Sequence, residues 1–222
     1  MQPTNPTSDK DKDAFLANPL CRALLKDTSY TQYSPASLPL TKSPSPSPSP
    51  SASDPGPDPN TSTVPISFKI PNPFVRRTLT HPSSDAVLST AYIARRNPHP
   101  EAHLLLHVGR GVTGQDGIAH GGFLAVVMDE VCGCLISSTE IDGGKGMFTG
   151  GLALKYLKPV WVEKGDGDEK QEEKGSVIVA TARAERVEGR KVFVSAGIRD
   201  KDGELCTTAE AVFVLRRGEA AL

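Results

Sequence analysis

An acidic residue inside an apolar run is the first feature of this chain that asks for a chemical explanation. Asp129 lies in FLAVVMDEVCGCLISS, residues 123–138. That stretch is too long for an ordinary strand and lacks strict alternation, so it reads as a helix buried nearly all round. A carboxylate there is expensive unless it is paired or reaches a solvent-filled site. Glu130 points about 100° away on the same helix, so at most one of the two acids faces a given cleft. Two bland accounts stand beside the chemical one: an acid at a subunit edge, or one satisfied by backbone donors. Read as chemistry, Asp129 is a general base that takes a proton from an attacking water, or a nucleophile in its own right. No metal chemistry is implied. His99, His103, His107 and His120 form no ligand constellation, since His103 and His107 share one face of a strand without a third ligand. Cys21, Cys132, Cys134 and Cys206 show neither a disulfide framework nor zinc-site spacing, and read as buried free thiols.

The elements that must position Asp129 follow from periodicity and turn chemistry. AVLSTAYIARR (86–96) reads as a strand, NPHPE as a turn, and AHLLLHVG (102–109) as the hairpin partner. A glycine-rich loop, GRGVTGQDGIAHGG (109–122), opens onto the helix. After a second glycine-rich stretch come strand candidates at 152–162, 176–189, 190–200 and 204–216, joined by Gly-, Asp- and Lys-rich turns suited to antiparallel connections. Two early strands, one apolar helix and several late strands predict an α+β domain in which one long antiparallel sheet wraps a central buried helix. Ahead of it, Asn18 followed by Pro19 predicts a short helix running to Lys26. Residues 34–63 are Ser-Pro-rich and cannot supply a core, so the expected division is an arm and linker at 1–63 and a folded domain at 64–218. The 64–80 segment is expected to pack irregularly, with Phe68 and Phe74 as anchors.

The formal charge is −1, from 25 Lys plus Arg against 26 Asp plus Glu, with no long basic run. This gives no electrostatic reason to expect nucleic acid or an acidic membrane surface as a partner. The first residues, MQPTNPTSDKDKDAF, show neither an apolar signal core nor arginine enrichment, so a cytoplasmic location is expected, with a mitochondrial one left open. No stretch reaches the roughly 18 continuous apolar residues of a membrane span.

The segment GIAHGGFLAVVMDEVCG, residues 117–133, resembles the histidine-glycine-glycine signature of hotdog-fold acyl-CoA thioesterases. The resemblance rests on His120-Gly121-Gly122, on Asp129 nine residues after the histidine, and on Thr149 seven residues before Tyr156 in a Tyr156-to-Pro159 element. It extends over about residues 78–216. It implies the hotdog fold and hydrolysis of acyl-CoA, with Asp129 as catalytic carboxylate and Thr149 near the attacking water. Negative charge developing on the thioester carbonyl oxygen suits backbone N–H groups at a helix start. Gly122 is the expected chief donor and Gly121 assists, both allowing close approach because neither carries a Cβ. His120 is expected to hold the loop. Gln115 stands where relatives place a polar side chain, and Phe123, Val127, Met147, Phe148 and Tyr156 are candidate substrate-lining residues. The resemblance further implies that Asp129 and Thr149 come from different subunits, so that the site forms between the chains of a homodimer or homotetramer. No cofactor is implied, coenzyme A being part of the substrate. The other reading, from a different class, is a non-catalytic hotdog module that binds acyl-CoA or serves oligomerisation.

Overall fold

The computed structural model describes residues 9–33, 79, 81, 84–115, 117–162 and 175–217. The expectations for the Ser-Pro linker, Phe68 and Phe74 lie outside them. Strands β2 (Val87–Arg95) and β3 (Glu101–Val108) form the early hairpin, and α3 (Gly121–Ser138) is the long apolar helix. Strands β6 (Met147–Tyr156), β7 (Ser176–Glu188), β8 (Lys191–Arg199) and β9 (Leu205–Leu215) follow. Together with β1 (Thr31–Tyr33) they form one antiparallel sheet in the order β1-β2-β3-β7-β8-β9-β6. A small hairpin, β4 (Thr113–Gln115) with β5 (Ile118–Ala119), leads into α3. The arrangement expected from the element order, which the resemblance implies is a hotdog fold, is present: the sheet wraps α3.

Helix α3 has no polar stripe wide enough for solvent, so the sheet takes it up. Leu124, Val127, Met128, Val131, Leu135 and Ile136 are buried against Leu104, Leu106, Ile178, Val194 and Phe213. Among the described residues it is long and apolar enough to cross a membrane, yet most of it packs inside the sheet. Two boundaries differ from the sequence reading. The helix starts at Gly121 because the His120 side chain caps it. The strand expected at 152–162 begins at Met147 and leaves the sheet after Tyr156, where Leu157 and Lys158 N–H both donate to the Cys206 carbonyl at 2.8 and 3.1 Å.

The opposite face of the sheet is covered by the N-terminal segment, which the sequence reading placed in an arm ahead of the domain. Helix α2 (Pro19–Lys26) starts where the Asn18-Pro19 pair implies, with Asn18 accepting from the Leu20 and Cys21 N–H groups. With α1 (Asp9–Ala17) it buries Ala14, Phe15 and Cys21 on Ile93, Leu105, Val177 and Val179. At one edge of this contact the Tyr30 hydroxyl donates to Glu101 at 2.7 Å, and Arg95 and Arg183 pair with the same carboxylate at 2.7 and 2.5 Å. Strand β3, covered on both faces, is buried along its whole length.

Candidate active site

Strand β6 runs back antiparallel along α3, and this return brings Thr149 to Asp129. The Thr149 hydroxyl donates to Asp129 Oδ1 at 2.7 Å within one chain. That corrects the expectation that the two residues come from different subunits. Their meeting depends on a bulge: Thr149 pairs with Phe213 and Gly151 with Val212, leaving Gly150 unmatched. A bulge of this kind re-aims the neighbouring side chain. A Cβ on Gly150 would stand 3.0 Å from Val214 and 3.2 Å from the Val212 carbonyl, so a side chain there would make these neighbours give by a few tenths of an ångström. Asp129 is half-buried and Thr149 exposed, whereas Glu130 is buried on another flank beside Cys134. The Cys132 thiol is pushed up by burial and secondarily by Asp129, so it is no thiolate nucleophile for this site.

Two helical turns away lies the His-Gly-Gly start of α3. Gly122 N–H donates to His120 Nδ1 at 2.9 Å, which fixes the neutral ring with its proton on Nε2. The amide expected to be the chief charge-stabilising donor is thus occupied by its own cap in the free chain. His120 is exposed and packs over Gly114, where a Cβ would stand 2.5 Å from the imidazole. Tyr156, at the far end of β6, donates its hydroxyl to the Gly121 carbonyl at 2.9 Å. Beside them a pocket of about 320 Å³ is lined by Gly121, Leu124, Tyr156, Leu157, Pro159 and Val160 among others. The segment after β6 is laced to the loop before α3 by Ala119 N–H to Val160 O at 2.9 Å and Val162 N–H to Gly117 O at 2.8 Å.

Of the expected lining residues only Tyr156 borders this pocket. Phe123 and Val127 are buried in the core, Met147 packs by Gly133 and Ser137, and Phe148 is 64% exposed with Arg216 over its ring. Gln115 is exposed at the end of β4, away from the pocket lining. Leu124, Leu157 and Val160 were missed as pocket residues because an apolar side chain beside a cavity has the same sequence signature as one in the core. Among the described residues no group of three or more His, Cys, Asp or Glu side chains is placed to hold a metal ion.

Residues 116–164 match the thioesterase superfamily model, a span that runs from the His-Gly-Gly loop through α3 and β6. Acyl-coenzyme A thioesterase THEM4 of Xenopus laevis is 30% identical over 111 residues, 50% of this chain and 43% of that protein. The Mus musculus THEM4 is 33% identical over 112 residues, again 50% of this chain and 41% of that protein. The chain therefore spans less than half the length of the curated relatives it matches. Among solved structures, thioesterase superfamily member 2 from Mus musculus aligns with a TM-score of 0.42 and 20% identity, covering 52% of this chain and 75% of that one. The matched segment contains Asp129 and Thr149 as well as His120, Gly121, Gly122 and Tyr156.

Proposed function

We propose that this chain hydrolyses acyl-CoA thioesters to free acid and coenzyme A. The observation that carries the proposal is the 2.7 Å bond from Thr149 to Asp129 on a helix whose first turn is Gly121-Gly122. Because Thr149 spends its only hydrogen on Oδ1, its oxygen has lone pairs to accept from water, and Oδ2 stays available. A water held by both has one hydrogen on Oδ2. Asp129 takes that proton while the water oxygen bonds to the thioester carbon, and the tetrahedral intermediate collapses by expelling the coenzyme A thiolate. Direct attack by Oδ2, giving a mixed anhydride that water then opens, uses the same atoms in another order. The carbonyl oxygen takes the Gly122 N–H in place of His120 Nδ1, exchanging one hydrogen bond for another while the charge grows.

The amide turn and the carboxylate are about 12 Å apart along α3 at 1.5 Å per residue. We propose that two copies complete the site, with α3 of one antiparallel to α3 of the other so that the Gly122 amide of one chain faces Asp129 of its partner. The face involved supports this: β6 ends the sheet with one neighbour only, and Phe148, Tyr156, Leu157 and Trp161 are all more than half exposed along it. The subunit boundary thus falls between amide and acid, with acid and threonine on the same side of it.

The test is thiol release from short, medium, long and aromatic acyl-CoAs, on wild type and Asp129→Asn side by side. Turnover that collapses in the variant with oligomeric state unchanged supports hydrolysis. Tight binding of acyl-CoA by folded wild type without turnover would move the reading to the non-catalytic module.

A further inference from the structure

Tyr156 is 55% exposed, yet its hydroxyl donates to a main-chain carbonyl of α3. That carbonyl, on Gly121, belongs to the same amide as the Gly122 N–H. The amide is therefore held at both ends: Tyr156 Oη to Gly121 O at 2.9 Å, and Gly122 N to His120 Nδ1 at 2.9 Å. The ring also lies against the Gly121 Cα, where a Cβ would stand 3.3 Å from Cζ and Oη. Tyr156 itself is well anchored, because the two residues after it donate to the Cys206 carbonyl, and in the following segment Val160 accepts from Ala119 N–H and Val162 N–H donates to Gly117 O. Donation to a carbonyl draws electron density from the amide nitrogen and strengthens what its N–H donates.

We propose that Tyr156 is a positioning residue for the hydrolysis, fixing the plane of the Gly121–Gly122 amide and polarising it toward the carbonyl oxygen of the substrate. This rests on the thioesterase reading above and reassigns Tyr156 from substrate contact to support of the charge-stabilising amide. In the two-copy arrangement one strand then serves two sites, Thr149 at its start on the acid of one and Tyr156 at its end on the amide of the other.

The experiment is steady-state kinetics of Tyr156→Phe against wild type and Asp129→Asn on the best acyl-CoA, with Tm, sedimentation and the ¹⁵N spectrum recorded on the same samples. The expected result is a fall in kcat of about fivefold to tenfold with KM unchanged, since a neutral hydrogen bond acts here only as charge develops. The Gly122 amide nitrogen resonance should move, while those of Val131 and Leu135, farther along α3, stay in place. Unchanged kcat, or a raised KM with kcat intact, overturns the assignment and leaves the thioesterase reading standing. A kcat loss accompanied by a fallen Tm or lost oligomer also overturns it, because the hydroxyl would then be holding the fold. Absence of turnover in wild type defeats both readings together, an outcome distinct from the others.

Discussion

At the residue scale the proposed hydrolysis turns on one carboxylate and the hydroxyl that donates to it. Asp129→Asn is expected to lower kcat by about 10²–10⁴, the range a positioned general base contributes. Thr149→Ala should lower it by about 10-fold to 100-fold, as for loss of a hydrogen bond to a charged group, and Thr149→Ser should recover most of that. Both are read by thiol release at saturating acyl-CoA. In a single turnover in ¹⁸O-labelled water, label on Asp129 marks an anhydride opened at the aspartyl carbon, whereas a base mechanism places label in the product acid alone. Asp129 was legible in the sequence because a charge in FLAVVMDEVCG needs a reason to be there. Its bond to Thr149 was not, because it depends on a bulge that no periodicity reveals, and the resemblance alone assigned them to separate chains. The cap from Gly122 to His120 was equally hidden, since the same three residues read as a donor for substrate.

At the element scale, the order of strands and the central helix could be read from alternation and turns, and so could the Asn18-Pro19 helix start. The docking of α1 and α2 could not. The outer face of β3 carries Glu101, His103, Leu105 and His107, which looks half solvent-facing until Tyr30, Arg95 and Arg183 reach Glu101 and Thr181 reaches His103 Nδ1 from neighbouring elements, while His103 Nε2 stays without a hydrogen-bond partner. Phe15 is 4% exposed, so Phe15→Ala is expected to cost about 3 kcal/mol in urea unfolding. Asn18→Ala should cost about 1 kcal/mol through the lost helix cap, with some addition from its 2.8 Å bond to the Lys201 carbonyl. Neither change touches the α3 face, so kcat per folded molecule should hold.

At the scale of the whole molecule, the polar node under the N-terminal helices sets an acid limit. Burial pushes His103 down to about 4, against the upward pull of Glu101 and with Arg183 and Arg95 adding to the descent. Its unfolded value is near 6.5, so between about 6.5 and 4 the unfolded chain takes a proton that the folded one refuses. The contribution is complete above pH 6.5 and falls away by roughly 3 kcal/mol as pH drops to 4. Glu101 acts in the same direction at lower pH: burial would raise it, but the Tyr30 hydroxyl, His103 and Arg183 outweigh burial and hold it below the usual carboxylate value. Urea titrations from pH 7 to 4 should show the loss, and His103→Gln should flatten it. In sedimentation, wild type is expected at dimer mass or its multiple, and Phe148→Asp at monomer mass with turnover lost. The four cysteines carry a last consequence. All are buried, Cys21 beneath the N-terminal helices and Cys132, Cys134 and Cys206 around α3, with burial raising Cys21 to about 12 and Cys206 to about 11. A thiol-alkylating reagent at neutral pH must therefore wait for an opening, and it meets Cys21 when the helices lift, Cys206 when the turn between β8 and β9 opens, and Cys132 and Cys134 only when the sheet parts from α3. The chain thus carries three chemical clocks, one for its coat, one for a turn and one for its core, readable by mass spectrometry without any introduced label.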